Sequence, residues 1–415
     1  MKKLGLLITG VAVLAFALSP KGTAKAATAI TNCTELQAMS SNLAETYTLA
    51  SDIDCSATTS WNAGAGFEPV GTNATPFTGA LDGQGHKIIS LFINRPTTDD
   101  VGLFGSSQDA SVSNLTMQDG SMTGQANVGS ISGRIQSMSL SSVSSNMAIT
   151  NTSHYAGGII GYNESQSTFL STLTEVHFSG SVNTPVSSYG NAGLIGDNDA
   201  DVDIIQSSNA GSISGGNAYI GGLVGDNDAV VNIIKSFNSG KVTGTGSTSS
   251  IGGLVGWSGD VNITDSYNTG DITGTDEVGG LIGTIGAITI VRSYSSGLIT
   301  GVNSNSTGAL IGAWSDLTMA NSFWNAETTG QTVACGTGNP CTGDATGISS
   351  AQMRTQSTFT DATWDFEKVW GICEYFNNGF PYLLWQNPTC AAPTPGLPNT
   401  GLGSLGLGQF YSFLY

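Results

Sequence analysis

Charge is scarce in this chain, and positive charge scarcer still. Only 10% of the 415 residues are Asp, Glu, Lys or Arg, and 12 Lys and Arg face 30 Asp and Glu. A formal net charge of −18 offers no basic surface for phosphate, which excludes nucleic acid and anionic lipid as partners. The three histidines, His86, His154 and His177, are too scattered for a metal set or a catalytic triad. Cysteine is absent between Cys55 and Cys335, and no Cys-x-x-Cys pair occurs, which argues against a zinc site. No stretch of about ten residues inside the central repeats has helical periodicity, so solenoids that need a helix per unit are excluded.

One long apolar run is present, Leu4–Leu18, after Lys2 and Lys3 and before the small-x-small site Ala24-Lys25-Ala26. Residues 1–26 therefore read as a signal peptide, and the exported chain is expected to have no transmembrane span. Loss of the four lysines of that segment leaves 8 basic against 30 acidic residues, a net charge of −22. Outside the cell an even number of cysteines favours disulfides. Cys33 with Cys55, Cys335 with Cys341 and Cys373 with Cys390 are the neighbours in sequence, although other connectivities stay open.

Glycine is abundant, with 57 copies, and it recurs in a fixed phrase. Gly157-Gly158-Ile159-Ile160-Gly161 returns as Ala192–Gly196, Gly221–Gly225, Gly252–Gly256, Gly279–Gly283 and Gly308–Gly312, with weaker copies ending at Gly105 and Gly133. The closing glycines are 28, 28, 35, 29, 31, 27 and 29 residues apart. A second phrase follows each copy, as in Ser236-Phe237-Asn238-Ser239-Gly240 and Ser266-Tyr267-Asn268-Thr269-Gly270. Periods of this length denote stacked repeats.

Three strand-like pieces per repeat, such as Gly252–Gly256, Val261–Tyr267 and Asp271–Thr273, predict one coil of a right-handed parallel β-helix. About eight such coils at ~4.8 Å spacing would stack inward Leu223, Val255 and Ile282 into a core. They would also align Phe237, Tyr267, Tyr294 and Phe323 as an aromatic stack and Asn209, Asn238 and Asn268 as an amide ladder. Glycine is expected where corners take positive φ or backbones approach closely. The raw ends require covers. Short helices are predicted over Thr31–Ser40, with Thr34 or Asn32 as N-cap, and over Ser349–Ser357, which precedes an aromatic-rich segment. The organisation is then signal peptide 1–26, N-terminal cap and first coils 27–100, repeats 101–330, C-terminal cap region 331–390, and a linker with a sorting-like segment 391–415.

The phrases resemble those of bacterial surface proteins with GLUG repeats, and so do Asp52–Cys55, Gly66–Gly71, Phe77–His86, Ser322–Asn325 and Gly379–Leu383. The resemblance spans about residues 30–387 and implies an adhesin-like β-helix at the cell surface. Some members of that family carry a zinc peptidase elsewhere. Its His-Glu-x-x-His is absent here, so peptidase activity does not carry over. Leu397-Pro398-Asn399-Thr400-Gly401 looks like an LPxTG signal, which implies a sortase and peptidoglycan as partners. The following residues 402–415 contain no Lys or Arg and are too short for the usual anchor.

These readings point to a secreted or wall-attached protein that binds a glycan, a cell surface or a matrix protein. A polysaccharide lyase or hydrolase and a passive surface-layer or stalk protein are the alternatives. No catalytic residue and no required cofactor are assigned, because none of the eight exported cations lies in a recognisable catalytic phrase. Tyr189, Tyr219 and Trp257 are candidates for stacking on sugar rings, with packing between coils as the alternative. Asp197, Asp199 and Asp201 precede Asp226 and Asp228 by one repeat, so a Ca²⁺ bridge between coils is weighed against solvated turns.

Overall fold

The computed structural model describes residues 26–165, 170–184, 189–216, 219–247, 249–337, 341 and 343–390. Residues 1–25 of the expected signal peptide 1–26 and the Leu397–Gly401 motif lie outside the described residues. The chain is a parallel β-helix built from three sheets: a long face of 23 strands, a face of eight strands and a face of six. Eight strands in the second sheet count the coils directly.

A single coil shows how the repeat phrase folds. Ser250–Gly252 belongs to the six-stranded face, Val255–Thr264 and Tyr267–Asn268 to the long face, and Ile272–Gly274 to the eight-stranded face. Gly252–Gly256 is therefore a corner rather than the strand that its aliphatics suggest. Gly252 and Gly253 allow the corner because a Cβ on either would overlap a carbonyl oxygen, that of Val255 or of Gly280 in the next coil. Positive φ is not what these glycines provide. That conformation occurs instead in a column of non-glycine residues at the bend of the long face: Asn114, Ser142, Glu175, Gln206, Lys235, Asp265, Arg292 and Asn321, with φ of 47–55°.

The core is continuous, with Leu223, Val255 and Ile282 fully buried. Asn209 Nδ2 donates to Asn238 Oδ1 at 2.7 Å, and Asn238 Nδ2 to Asn268 Oδ1 at 2.8 Å, forming the expected amide ladder. A second ladder runs in parallel from Asn163 to Asn198 (2.6 Å), Asn227 (2.6 Å) and the Ser258 hydroxyl (2.7 Å). The interior amides Asn198, Asn227 and Asn238 thus donate to one neighbouring coil and accept from the other, so their polar atoms are satisfied without water.

At the N-terminus the helix Cys33–Gln37 is capped by Asn32, whose side chain accepts from Glu35 N at 3.0 Å, and it buries Leu36 over the first coil. Cys33–Cys55, Cys335–Cys341 and Cys373–Cys390 are disulfides, with Cα separations of 5.3, 5.8 and 5.5 Å. The C-terminal helical region is two short helices, Ser350–Met353 and Gln356–Thr360, the first closed by a capping box between Ser349 and Gln352.

The aromatic segment that follows does not lie across the end of the rod. It runs back along the flank as a strap, because the aromatic stack faces outward and needs cover. Phe237, Tyr267, Tyr294 and Phe323 are successive register partners on the long face. Trp364 and Trp370 of the strap pack on Tyr294, and Trp385 reaches Phe237 at 5.8 Å. Together they form a second hydrophobic cluster, separate from the core. Trp385 Nε1 donates to the Lys235 carbonyl at 2.8 Å, and Tyr267 Oη to Gln386 Oε1 at 3.0 Å.

Candidate functional site

Two places on the rod gather chemistry. The first is a seam where the six-stranded face turns into the long face. Its row on the long face reads Arg134, Tyr162, Asp197, Asp226, each the register partner of the next. Asp197 and Asp226 are 3% and 9% exposed, and Oδ1 of each is buried without a hydrogen-bond partner. Burial, reinforced by the facing carboxylates, pushes Asp197 up to about 8 and Asp226 up to about 7. Arg134 does not neutralise them, being engaged with Asp100 at 3.1 Å and Glu164 at 3.3 Å.

The remaining acids of the seam turn elsewhere. Asp199 accepts from the Tyr162 hydroxyl at 2.6 Å, Asp201 accepts from Val230 N at 3.1 Å, and Asp228 is exposed. Among the described residues no three His, Cys, Asp or Glu side chains gather so as to hold a metal ion. The candidate stacking aromatics flank the same seam. Tyr219 stacks on Trp257 at 5.6 Å, and Tyr189, half exposed, stacks on His154 at 4.9 Å. Tyr219 and Trp257 thus pair with each other across coils, and Tyr189 pairs with His154.

The second place is a pocket of about 610 Å³ where the strap ends on the rod. Its aromatic lining is Phe237, Tyr267, Phe376 and Trp385, and its polar lining is a set of hydroxyls from successive coils, including Ser144, Ser179, Ser208 and Ser239. His177 stacks on Trp385 at 5.4 Å and lies 3.0 Å from Ser208 Oγ through Nδ1. Burial lowers the affinity of His177 for a proton, against a smaller opposing pull from Glu175, so the imidazole is neutral at physiological pH. Glu175 accepts from Ser142 Oγ at 2.7 Å at the rim. Among the described residues no Lys or Arg side chain lines the pocket. Flat aromatic faces beside hydroxyl donors and acceptors suit a ligand that is apolar on one face and hydroxylated at its edges.

The strap residues Phe376 and Trp385 carry no repeat signature, so sequence reasoning missed them. The one available signal was their place in an aromatic-rich segment between Cys373 and Cys390. A third concavity, about 550 Å³, lies near the N-terminal cap beside Trp61 and Glu68.

No family model matches the chain. Halomucin of Haloquadratum walsbyi is 39% identical over 168 residues, which is 38% of this chain and 2% of halomucin. A protein provisionally named a Gly-rich membrane protein, from Evansella cellulosilytica, is 41% identical over 73 residues, 17% of this chain and 8% of its own length. The chain therefore spans a small fraction of either relative. A crystal structure provisionally named an immunoglobulin A1 protease, from Bacteroides ovatus, superposes with a TM-score of 0.45 at 17% identity, covering 88% of this chain and 94% of that one.

Proposed function

We propose that this chain is an exported surface protein that binds a neutral glycan in the pocket beneath the end of its strap. The observation that carries the reading is the pairing of the half-buried Trp385 and Phe237 faces with a hydroxyl lining at one site. The three disulfides support an oxidising, extracellular setting. Stretches similar to halomucin and to a membrane protein fit a surface location. Binding rather than turnover is favoured because the carboxylates with raised pKa, Asp197 and Asp226, are buried in the seam and do not line the pocket.

The test is an array of immobilised glycans probed with the full chain, scored for retention and for released reducing ends. Retention without release, weakened by Trp385→Ala, is the expected result. Release of reducing ends would replace this reading with a polysaccharide-cleaving enzyme, and retention of none of the glycans would remove it.

A further inference from the structure

Building on the glycan-binding reading, we propose that the pocket takes the end of an extended, neutral, β-linked glycan chain, and that the rest of the chain lies along the rod toward the N-terminal coils. One row of residues on the long face runs the length of this flank. Register pairs run Lys87, Thr116, Ser144, His177, Ser208, Phe237, Tyr267, Tyr294, Phe323. The row is polar as far as Ser208 and aromatic from Phe237 onward. The strap covers the aromatic half and ends where Trp385 stacks on His177 beside the buried Ser208, so Ser144, Thr116 and Lys87 beyond it stay partly exposed.

The strap therefore closes the row on one side of the pocket. Tyr267 packs under Trp370 at 6.2 Å. Tyr294 packs under Trp364 at 6.3 Å and donates to the Pro381 carbonyl at 2.6 Å. Phe323 meets Phe359 edge-on at 5.2 Å. A chain seated against Trp385 cannot continue in that direction. On the other side the row stays open, and its hydroxyls already contact one another from coil to coil, as Thr116 and Ser144 do at 2.9 Å.

The spacing suits a linear sugar. Successive coils present one side chain every ~4.8 Å, close to the advance of a pyranose in an extended β-1,4-linked chain, so one ring can meet one coil. Charge narrows the class further. Among the described residues the pocket lining contains Glu175 and no Lys or Arg, Lys87 at the far end of the row donates to Gln118 Oε1 at 2.9 Å, and the whole chain carries −18, so uronic-acid and sulfated chains are repelled. What remains is a neutral chain with a flat C–H face at its terminal ring for Trp385 and equatorial hydroxyls for the serine row.

Calorimetric titration of the full chain with cellohexaose and chitohexaose tests the proposal, together with two forms of each hexaose: one reduced to the alditol and one 4-O-methylated at the non-reducing end. One of the two end-modified forms should bind at least about tenfold more weakly while the other binds as the parent does. Equal binding by all three forms would show that chain interiors are accepted and would overturn the proposal while leaving glycan binding intact. Binding of no hexaose, with the glycan array also silent, would sink the parent reading, and retention of a peptide instead would do the same.

Trp385→Ala also loosens the strap, so a second variant is placed away from it. Thr116→Trp, one coil beyond the pocket lining, blocks the open row and should weaken the hexaose about tenfold while leaving cellobiose unchanged. An equal effect on both sugars, or none on either, would overturn the direction assigned to the chain.

Discussion

Asp197 and Asp226 stand directly opposite each other in adjacent coils, and each holds one buried carboxylate oxygen that nothing donates to. Two carboxylates so placed cannot both be charged without cost, so the folded state retains protons that the unfolded chain releases. Their folded pKa values, about 8 and about 7, lie above the unfolded values near 4. Stability from this pair is thus fully present below about pH 4 and is lost as pH rises through about 8, by on the order of a few kcal/mol. Thermal unfolding followed from pH 4 to pH 9 should show a falling Tm. Asp197→Asn should flatten that slope and raise Tm at pH 8, and an unchanged slope would mean that the seam is wetter than its geometry indicates.

The amide ladder makes a sharper claim about Asn238, which donates to Asn268 and to the Gly240 carbonyl and accepts from Asn209. Asn238→Ala strands buried partners on both neighbouring coils and is expected to cost about 2–4 kcal/mol in urea unfolding. Asn238→Asp should cost more, since it adds a buried charge and removes the donor that reaches the next coil.

Glycines of identical sequence appearance differ in what surrounds them. A Cβ at Gly253 would overlap the Gly280 carbonyl, whereas at Gly259 the nearest atom is 3.7 Å away. Gly253→Ala should therefore abolish folding or cost at least about 3 kcal/mol, while Gly259→Ala stays within about 0.5 kcal/mol of the parent. Equal effects in a denaturant melt would contradict the corner geometry.

Phe376, Asn377, Trp385 and Gln386 all lie within the loop that Cys373–Cys390 closes. Replacing both cysteines with serine should loosen this end of the strap and lower glycan affinity by about tenfold or more. The main melting transition of the coils should move little, because the core cluster contains neither cysteine. Trp370→Ala, which removes a fully buried ring from the strap cluster, is expected to cost about 3–5 kcal/mol.

Much of the architecture can be read from repeat spacing, because each coil must present the same side chain at the same place as its neighbours. Asn209, Asn238 and Asn268 were legible for that reason, since they occupy one position of one recurring phrase. The ladder through Asn163, Asn198 and Asn227 was not. A step of 35 residues separates its first two members, it ends on Ser258, and its middle members lie among aspartates that suggest a different chemistry. The bend column was hidden because a left-handed backbone is carried there by Ser, Glu, Gln, Lys, Asp, Arg and Asn alike, a set with no common side-chain signature. The pocket was hidden for a different reason. One wall of it comes from the strap, whose Trp385 bonds to Lys235 across 150 positions of sequence, and no local pattern encodes where a returning segment lands. Tyr189, Tyr219 and Trp257 recur near the repeats and drew attention, while Trp385 lies beyond them.

The strap, residues 364–385, clasps coils formed by residues 177 to 323, all of which precede it in the chain. A chain cut short before residue 359 would still carry these coils but would leave Tyr267, Tyr294 and Phe323 bare to water and lack the strap's wall of the pocket. On the proposed reading ligand capture thereby depends on residues laid down after the last coil, so a truncated copy would show bare aromatic rings and bind no ligand.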